Sequence, residues 1–323
     1  MSDEAIKTAL DIAYIVSSVL FIFGLKMLGR AETAQRGNQV SAAGMALAVL
    51  ATVVTGGLAW EWVILGLVIG GGTGAIAARR VQMTGMPEMV ALLNGSGGLA
   101  SLLVGWASVI GPKAVTLPAM VTAPAFAAIF IGGATATGSI IAYLKLSEKM
   151  PGRPVVLPAH QTLNAILLLA VVGAGIAFAT NPGGDWNTWL LVGIGAALLV
   201  GLTLVLPIGG ADMPVVIALL NSLSGVAACA AGFVIYNNVL IVSGALVGAS
   251  GLILTNIMCR AMNRSLGNVL FGAVGTTAAA SKTTFEGEAK PVGSEDVYLM
   301  LEAATSVVVV PGYGMAVAQA QHA

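Results

Sequence analysis

Nine apolar stretches, each long enough to cross a lipid bilayer, dominate this sequence of 323 residues. A helix needs about 20 apolar residues to span the hydrocarbon core, where only helices and closed barrels satisfy every backbone polar group. Charged residues make up 9% of the chain, against about 25% in an average soluble domain. We therefore expect an all-α polytopic membrane protein. Its predicted spans are residues 6–28, 40–57, 61–78, 87–110, 122–146, 162–180, 187–206, 214–236 and 238–259.

The basic residues predict how these spans are oriented. Ten of them follow the first, third, fifth or ninth span, whereas Lys7 and Lys113 fall at the opposite side. Because basic residues accumulate on the cytoplasmic side, we expect the N-terminus outside and the C-terminal tail in the cytoplasm, in a bacterial-type inner membrane. The net charge of zero argues against nucleic acid as a partner. The ten residues are Lys26, Arg30, Arg36, Arg79, Arg80, Lys145, Lys149, Arg153, Arg260 and Arg264.

The sequence contains an internal repeat. Residues 86–100, MPEMVALLNGSGGLA, recur at 213–227 as MPVVIALLNSLSGVA, with eight of fifteen positions identical. One span earlier, the same offset aligns Trp62 with Trp189. Spans three and four therefore match spans seven and eight. Copies four spans apart share one orientation, which is the parallel repeat found in some transporters.

Each copy of the repeat carries one amide inside the membrane, Asn94 in span four and Asn221 in span eight. Each amide follows a first-turn proline by seven residues, which places it about 10 Å along its helix. Two interpretations remain open: the amides only bridge neighbouring helices, or they line a water-filled proton path. Ser250 in span nine is a further candidate for that path. Most other hydroxyls, such as those of Thr135, Thr137 and Ser139, are expected to bond to their own helix backbone.

Charged residues next to spans eight and nine are candidates for coupling the membrane to the tail. Asp212 lies in a glycine-rich turn, where it either begins span eight or meets Arg260 or Arg264. The two arginines, spaced i, i+4, are expected on one helix face, where they anchor to headgroups or transmit movement. His160 is expected to be a solvated loop residue. The sequence shows no metal-ligand spacing.

The C-terminal residues have the pattern of a nucleotide-binding unit. A polar linker over 263–304 is followed at 305–323 by a run of valines and then by Gly312-x-Gly314-x-x-Val317. A strand, a glycine turn and a helix start in this order are typical of a Rossmann-like fold, in which the helix N-terminus binds a pyrophosphate. Only nine residues follow Gly314, whereas the unit needs about 30. We therefore expect residues 1–262 to form the membrane domain and 305–323 to be the truncated start of a domain that is incomplete here.

Four motifs resemble the β subunits of proton-translocating NAD(P) transhydrogenases. They are IGGADMPVV at 208–216, LVGASG at 246–251, IMCRAMNRS at 257–265 and PGYGMAVAQAQ at 311–321. The resemblance covers essentially the whole chain. It implies a membrane domain with a cytoplasmic NADP(H)-binding domain, and a partner α subunit that binds NAD(H), in a dimer of αβ units. Hydride transfer between the two nucleotides would be coupled to proton translocation, and this chain alone is expected to be inactive.

The resemblance also implies roles for individual residues. Asn221 matches a residue of the proton path, and Asp212, Arg260 and Arg264 match charges at the junction with the tail. Many members have an intramembrane histidine where this chain has Asn94, and an amide cannot titrate. The titrating group would then come from the partner, or water held by the two amides would carry the proton. In the tail, the resemblance implies that NADP(H) contacts Gly312, Tyr313, Gly314, Ala316 and Val317.

The alternative interpretation of the chain is a secondary transporter with a nucleotide-sensing tail.

Overall fold

The computed structural model describes residues 3–54, 59–110, 119–180, 186–275 and 293–308. Eleven α-helices make up most of the regular structure in these ranges. Nine of these helices are long and apolar enough to cross a membrane, which confirms the predicted polytopic helical protein for the described ranges. The helices are α1 (Asp3–Leu28), α2 (Ala31–Val54), α3 (Trp60–Arg80), α4 (Met86–Val109), α5 (Ala119–Leu146), α6 (His160–Thr180), α7 (Trp186–Val205), α8 (Met213–Val234), α9 (Asn238–Ala261), α10 (Leu266–Gly275) and α11 (Ser294–Ala303).

Among the nine predicted spans, the start of the second was predicted least accurately. It begins at Ala31 rather than at residue 40. Its polar first turns escape a search for apolar residues, although alanine, glutamate and glutamine favour helix. The Thr33 hydroxyl donates to the Met27 carbonyl over 2.6 Å and closes the short turn from α1 to α2.

Helix α5 lies at the centre of the bundle, in contact with α4, α7 and α8. Small side chains make this possible, because Ala125, Ala128 and Ala142 are completely buried along its length. Helix α8 also packs on α9, and α6 packs on α7, while α1 and α2 form a pair that meets α9. Helix α3 has no buried residue.

The repeat predicted from the sequence is present in the backbone. A 3₁₀ turn precedes each of the two matching helices, Met83–Gly85 before α4 and Gly210–Asp212 before α8. The offset between the two turns, and between the two helix starts, equals the offset between the two copies of the sequence motif. Proline lies in the first turn of both helices, where its missing N–H removes no hydrogen bond.

Equivalent glycines also make close helix contacts in both copies. A Cβ atom added at Gly98 would lie 2.7 Å from the carbonyl oxygen of Gly132 in α5. At Gly225, the equivalent position in the second copy, it would lie 2.5 Å from the backbone nitrogen of Gly248 in α9. Only glycine permits two helix backbones to approach so closely.

The described residues of the tail, 293–308, form a unit separate from the membrane bundle. Helix α11 lies at the end of the predicted polar linker, and Asp296 accepts a hydrogen bond from the Gly293 N–H over 3.3 Å at its start. Val307 and Val308 are exposed and lie in no strand. The rest of the valine run and the glycine motif lie outside the described residues, so the Rossmann-like domain stays a prediction.

Candidate functional site

The amide of Asn94 joins the two copies of the repeat. It lies in α4 with 7% of its surface exposed, and its Nδ2 donates to the Ile217 carbonyl of α8 over 3.3 Å. In addition, the Ser224 hydroxyl of α8 donates to the backbone carbonyl of Asn94 over 3.2 Å. The carbonyl of Ile217 is also the helical acceptor for the backbone N–H of Asn221, four residues later. The first amide is therefore held one helical turn from the second.

Asn221 has a different environment from Asn94. It is partly buried in α8, and its side chain makes no hydrogen bond to any residue in the described ranges. Ser222 and Gly225 mark the side of α8 that packs on α9, and Ile217 and Ser224 mark the side that meets α4. At about 100° per residue, Asn221 lies between these two sides. Its donors and acceptor are thus free, within the described ranges, to bond to water or to another group.

Two hydroxyls of α5 are buried at its contact with α4 without a partner among the described residues. Thr135 packs beside Gly98, and Ser139 packs beside Gly95. The expectation that such hydroxyls bond to their own helix is wrong for these two residues. It is right for Thr137, which donates to the Gly133 carbonyl over 3.2 Å and also to Leu198 of α7 over 2.8 Å.

Ser250 is not brought together with the two amides. Its side chain is on the exposed surface of α9, and its hydroxyl donates to the Val247 carbonyl of the same helix over 3.1 Å. The side of α9 that packs on α8 is instead formed by Gly244, Gly248 and Gly251. A role for Ser250 in a proton path stays a prediction.

Asp212 pairs with Arg264, one of its two predicted partners. The Arg264 Nε lies 3.4 Å from the Asp212 Oδ1, and the side chains are 50% and 14% exposed. Asp212 is also the residue that precedes the first turn of α8. It therefore occupies the start of α8 and meets Arg264, although its side chain makes no capping hydrogen bond to α8.

The two arginines do not share a helix face. Helix α9 ends at Ala261, and Asn263 takes a positive φ of 51°. The Arg264 N–H then bonds back to the Cys259 carbonyl over 2.9 Å, which is the Schellman ending of a helix. Arg264 is thereby turned toward Asp212, while Arg260 remains exposed in the last turn of α9. The i, i+4 spacing was misleading because the helix does not continue past residue 261.

Two further buried polar residues were missed from the sequence. Lys145, in the last turn of α5, is 3% exposed and donates to two backbone carbonyls. His160 is also 3% exposed, so its prediction as a solvated loop residue is wrong: it is the first residue of α6. The sequence signal that could have identified Lys145 was a basic residue inside a predicted membrane span. By contrast, Lys149 is exposed, and a hydrogen bond to the Tyr143 hydroxyl raises its pKa.

The predicted nucleotide contacts, Gly312 to Val317, all lie outside the described residues. The NADP(H) site therefore stays a prediction.

Comparison with known proteins identifies the relatives of the chain. A family model described as NAD(P) transhydrogenase beta subunit matches residues 10–323. A protein from Rhodospirillum rubrum named NAD(P) transhydrogenase subunit beta is 40% identical over 321 residues, covering 96% of this chain and 68% of that relative. A protein of the same name from a specified strain of that species matches to the same extent.

Proposed function

This chain belongs to the family of NAD(P) transhydrogenase β subunits, and from that premise we propose that it couples proton movement across a membrane to hydride transfer between NAD(H) and NADP(H). It is thus a multi-pass membrane component of an enzyme complex. The observation that supports the proton path is the Asn221 amide, which has no hydrogen bond within the described chain. In a membrane, such a group is costly unless water or a partner satisfies it.

The path runs past Asn221, on the side of α8 between α4 and α9. Asn94 is already bonded to the Ile217 carbonyl and holds the two helices together there. Neither amide titrates, so the group that gains and loses the proton is water in this groove or a side chain of the partner subunit. The partly buried position of Asn221 leaves it accessible to either one. Ser250 would contribute only if the partner covers the outer surface of α9.

Coupling to the tail takes place at the ion pair of Asp212 and Arg264. Asp212 precedes α8, which carries Asn221, and Arg264 follows α9 at the start of the linker. Protonation in the membrane and nucleotide occupancy in the tail each favour a different arrangement of this junction. Each therefore biases the other, as linkage between two sites requires. Arg260, exposed in the last turn of α9, anchors to headgroups or transmits movement.

The tail faces the cytoplasm and the N-terminus lies outside. Its residues Gly312, Tyr313, Gly314, Ala316 and Val317 belong to an NADP(H) site that further residues complete. An α subunit supplies the NAD(H) site, and two αβ units associate.

The experiment is a substitution of the unbonded amide in the assembled complex. The full chain is expressed with its partner subunit, reconstituted in vesicles, and assayed for NADPH-dependent reduction of an NAD analogue with and without a proton gradient. Asn221→Leu is expected to abolish the dependence on the gradient while NADP(H) binding is retained. Asn256→Leu, on the exposed surface of α9, is the matched control.

The outcome separates the two readings. A normal gradient-dependent rate in Asn221→Leu would contradict the role of this amide. Solute transport without hydride transfer would instead favour the secondary transporter.

A further inference from the structure

Lys145 is a buried cation without a carboxylate partner in the described part of the chain. Its Nζ lies 2.6 Å from the carbonyl oxygen of Leu206 and 2.6 Å from that of Ile208. Both acceptors belong to the turn that follows α7, where Pro207 and Ile208 are buried. Carbonyls at a helix C-terminus need donors, and here the Lys145 ammonium group supplies one to each of these two. The negative end of the α7 dipole also stabilises the positive charge.

The same turn is bonded to the loop that follows α5. The Val155 N–H donates to the Leu206 carbonyl over 3.1 Å, so this oxygen accepts from both the loop and Lys145. The Gly210 N–H donates to the Gly152 carbonyl over 2.7 Å. Together with the ammonium group, these bonds attach the connection between α7 and α8 to the end of α5.

The connection leads directly to Asp212. Within it, the Asp212 N–H donates to the Gly209 carbonyl over 3.1 Å, and the next residue, Met213, is completely buried. The backbone on this side of the ion pair is therefore held by packing and by hydrogen bonds. Arg264, in contrast, stands on a turn after α9 with half of its side chain exposed.

We propose that Lys145 is a positioning residue that holds Asp212 in place, so that movement between the membrane domain and the tail is taken up on the Arg264 side of the ion pair. This inference rests on the proposed function, in which that ion pair couples the two parts.

The test uses the full chain assembled with its partner subunit. Lys145→Met removes the donors and keeps the apolar stem, Lys145→Arg keeps donors and charge, and Lys149→Met is the control in the adjacent exposed turn. Lys145→Met is expected to lower the gradient-dependent hydride transfer by about tenfold, within the usual range of coupling between two sites. Lys145→Arg should restore most of the rate, and Lys149→Met should leave it unchanged.

A double-mutant cycle with Asp212→Asn distinguishes positioning from general loss of structure. If Lys145 acts through Asp212, Lys145→Met lowers the rate by less than about twofold in the Asp212→Asn background, because coupled residues are not additive. A further tenfold loss in that background would overturn the inference. If Lys145→Met does not assemble, Lys145→Gln takes its place, and failure of both neutral variants to assemble would also overturn it.

Amide hydrogen exchange gives a readout that does not depend on transhydrogenation. Lys145→Met should increase the exchange rate of the backbone amides of residues 208–213 more than that of residues 262–266. Equal exchange rates at 208–213 in the variant and the wild type would contradict the inference. A wild-type complex without gradient-dependent hydride transfer would instead contradict the proposed function, while the exchange result would still decide whether Lys145 holds the turn.

Discussion

In the first copy of the repeat, the Asn94 amide donates to the Ile217 carbonyl, whereas in the second copy the Asn221 amide has no hydrogen bond within the described ranges. The local structures around them agree, since each helix follows a 3₁₀ turn and makes a close contact through an equivalent glycine. The difference comes from the neighbours. Helix α4 has α8 beside its amide, while α8 carries its amide between the side that meets α4 and the side that meets α9.

This comparison teaches that duplication preserves the backbone and the close helix contacts but not the role of the equivalent polar residue. The residues that directly precede the two helices also differ. Asp212 occupies the position that corresponds to Gly85 in the first copy, and only Asp212 forms an ion pair. One copy therefore uses its amide to join two helices, and the other has an unbonded amide and a paired charge, the two features on which the proposed function rests.

The largest expected effect concerns the feature that the copies share. Gly98→Ala and Gly225→Ala should each lower the free energy of unfolding by about 1–3 kcal/mol, because the added methyl group clashes with the backbone of the facing helix. Thermal unfolding of the purified complex in detergent measures this. Gly97→Ala is the control, since nothing lies within 4 Å of a Cβ atom there. A large loss in only one copy would break the equivalence of the two contacts.

The second prediction addresses the amides themselves. Asn94→Ala should lower the free energy of unfolding by about 1 kcal/mol, the size of an interhelical hydrogen bond in a membrane protein. Asn221→Ala should change it by less than about 0.5 kcal/mol, because no bond to the described chain is lost. The same unfolding assay, paired with gradient-dependent hydride transfer, should rank the two variants in opposite orders. Equal losses of stability would show that Asn221 is a structural residue like Asn94.

A smaller effect is expected at the ion pair present in only one copy. Asp212→Asn should lower the free energy of unfolding by about 0.5 kcal/mol, because Arg264 is half exposed and the attraction is screened. The loss should shrink as the salt concentration rises. Arg260→Gln, on a neighbouring exposed side chain, serves as the reference variant. A loss that does not depend on salt would argue that Asp212 stabilises α8 in another way.

The smallest effect is expected for Ser250. Its hydroxyl bonds only to its own helix, so Ser250→Ala should change the free energy of unfolding by less than about 0.5 kcal/mol. The hydride transfer rate of the assembled complex should stay unchanged unless the partner subunit covers this side of α9. A rate that falls to the level of Asn221→Leu would place Ser250 in the proton path.

Much of the fold could be predicted from the sequence because its signals are local. Eight of the nine spans begin within a few residues of their predicted positions, since apolar length decides which segments enter a membrane. The constant offset of the repeat located both of its helix starts, because the proline and the residues around it act on their own turn. The start of α2 was wrong for the opposite reason: its first turns are polar.

The sequence by itself determined that this chain forms a bundle of apolar helices with a duplicated segment and one amide in each copy. Only the tertiary structure decided which amide is bonded, which arginine meets Asp212, and why Lys145 is buried. Asn94 and its acceptor are 123 residues apart in the chain, and Lys145 and Leu206 are 61 apart. Contacts over such separations depend on which helix faces meet, and neither hydropathy nor residue spacing contains that information.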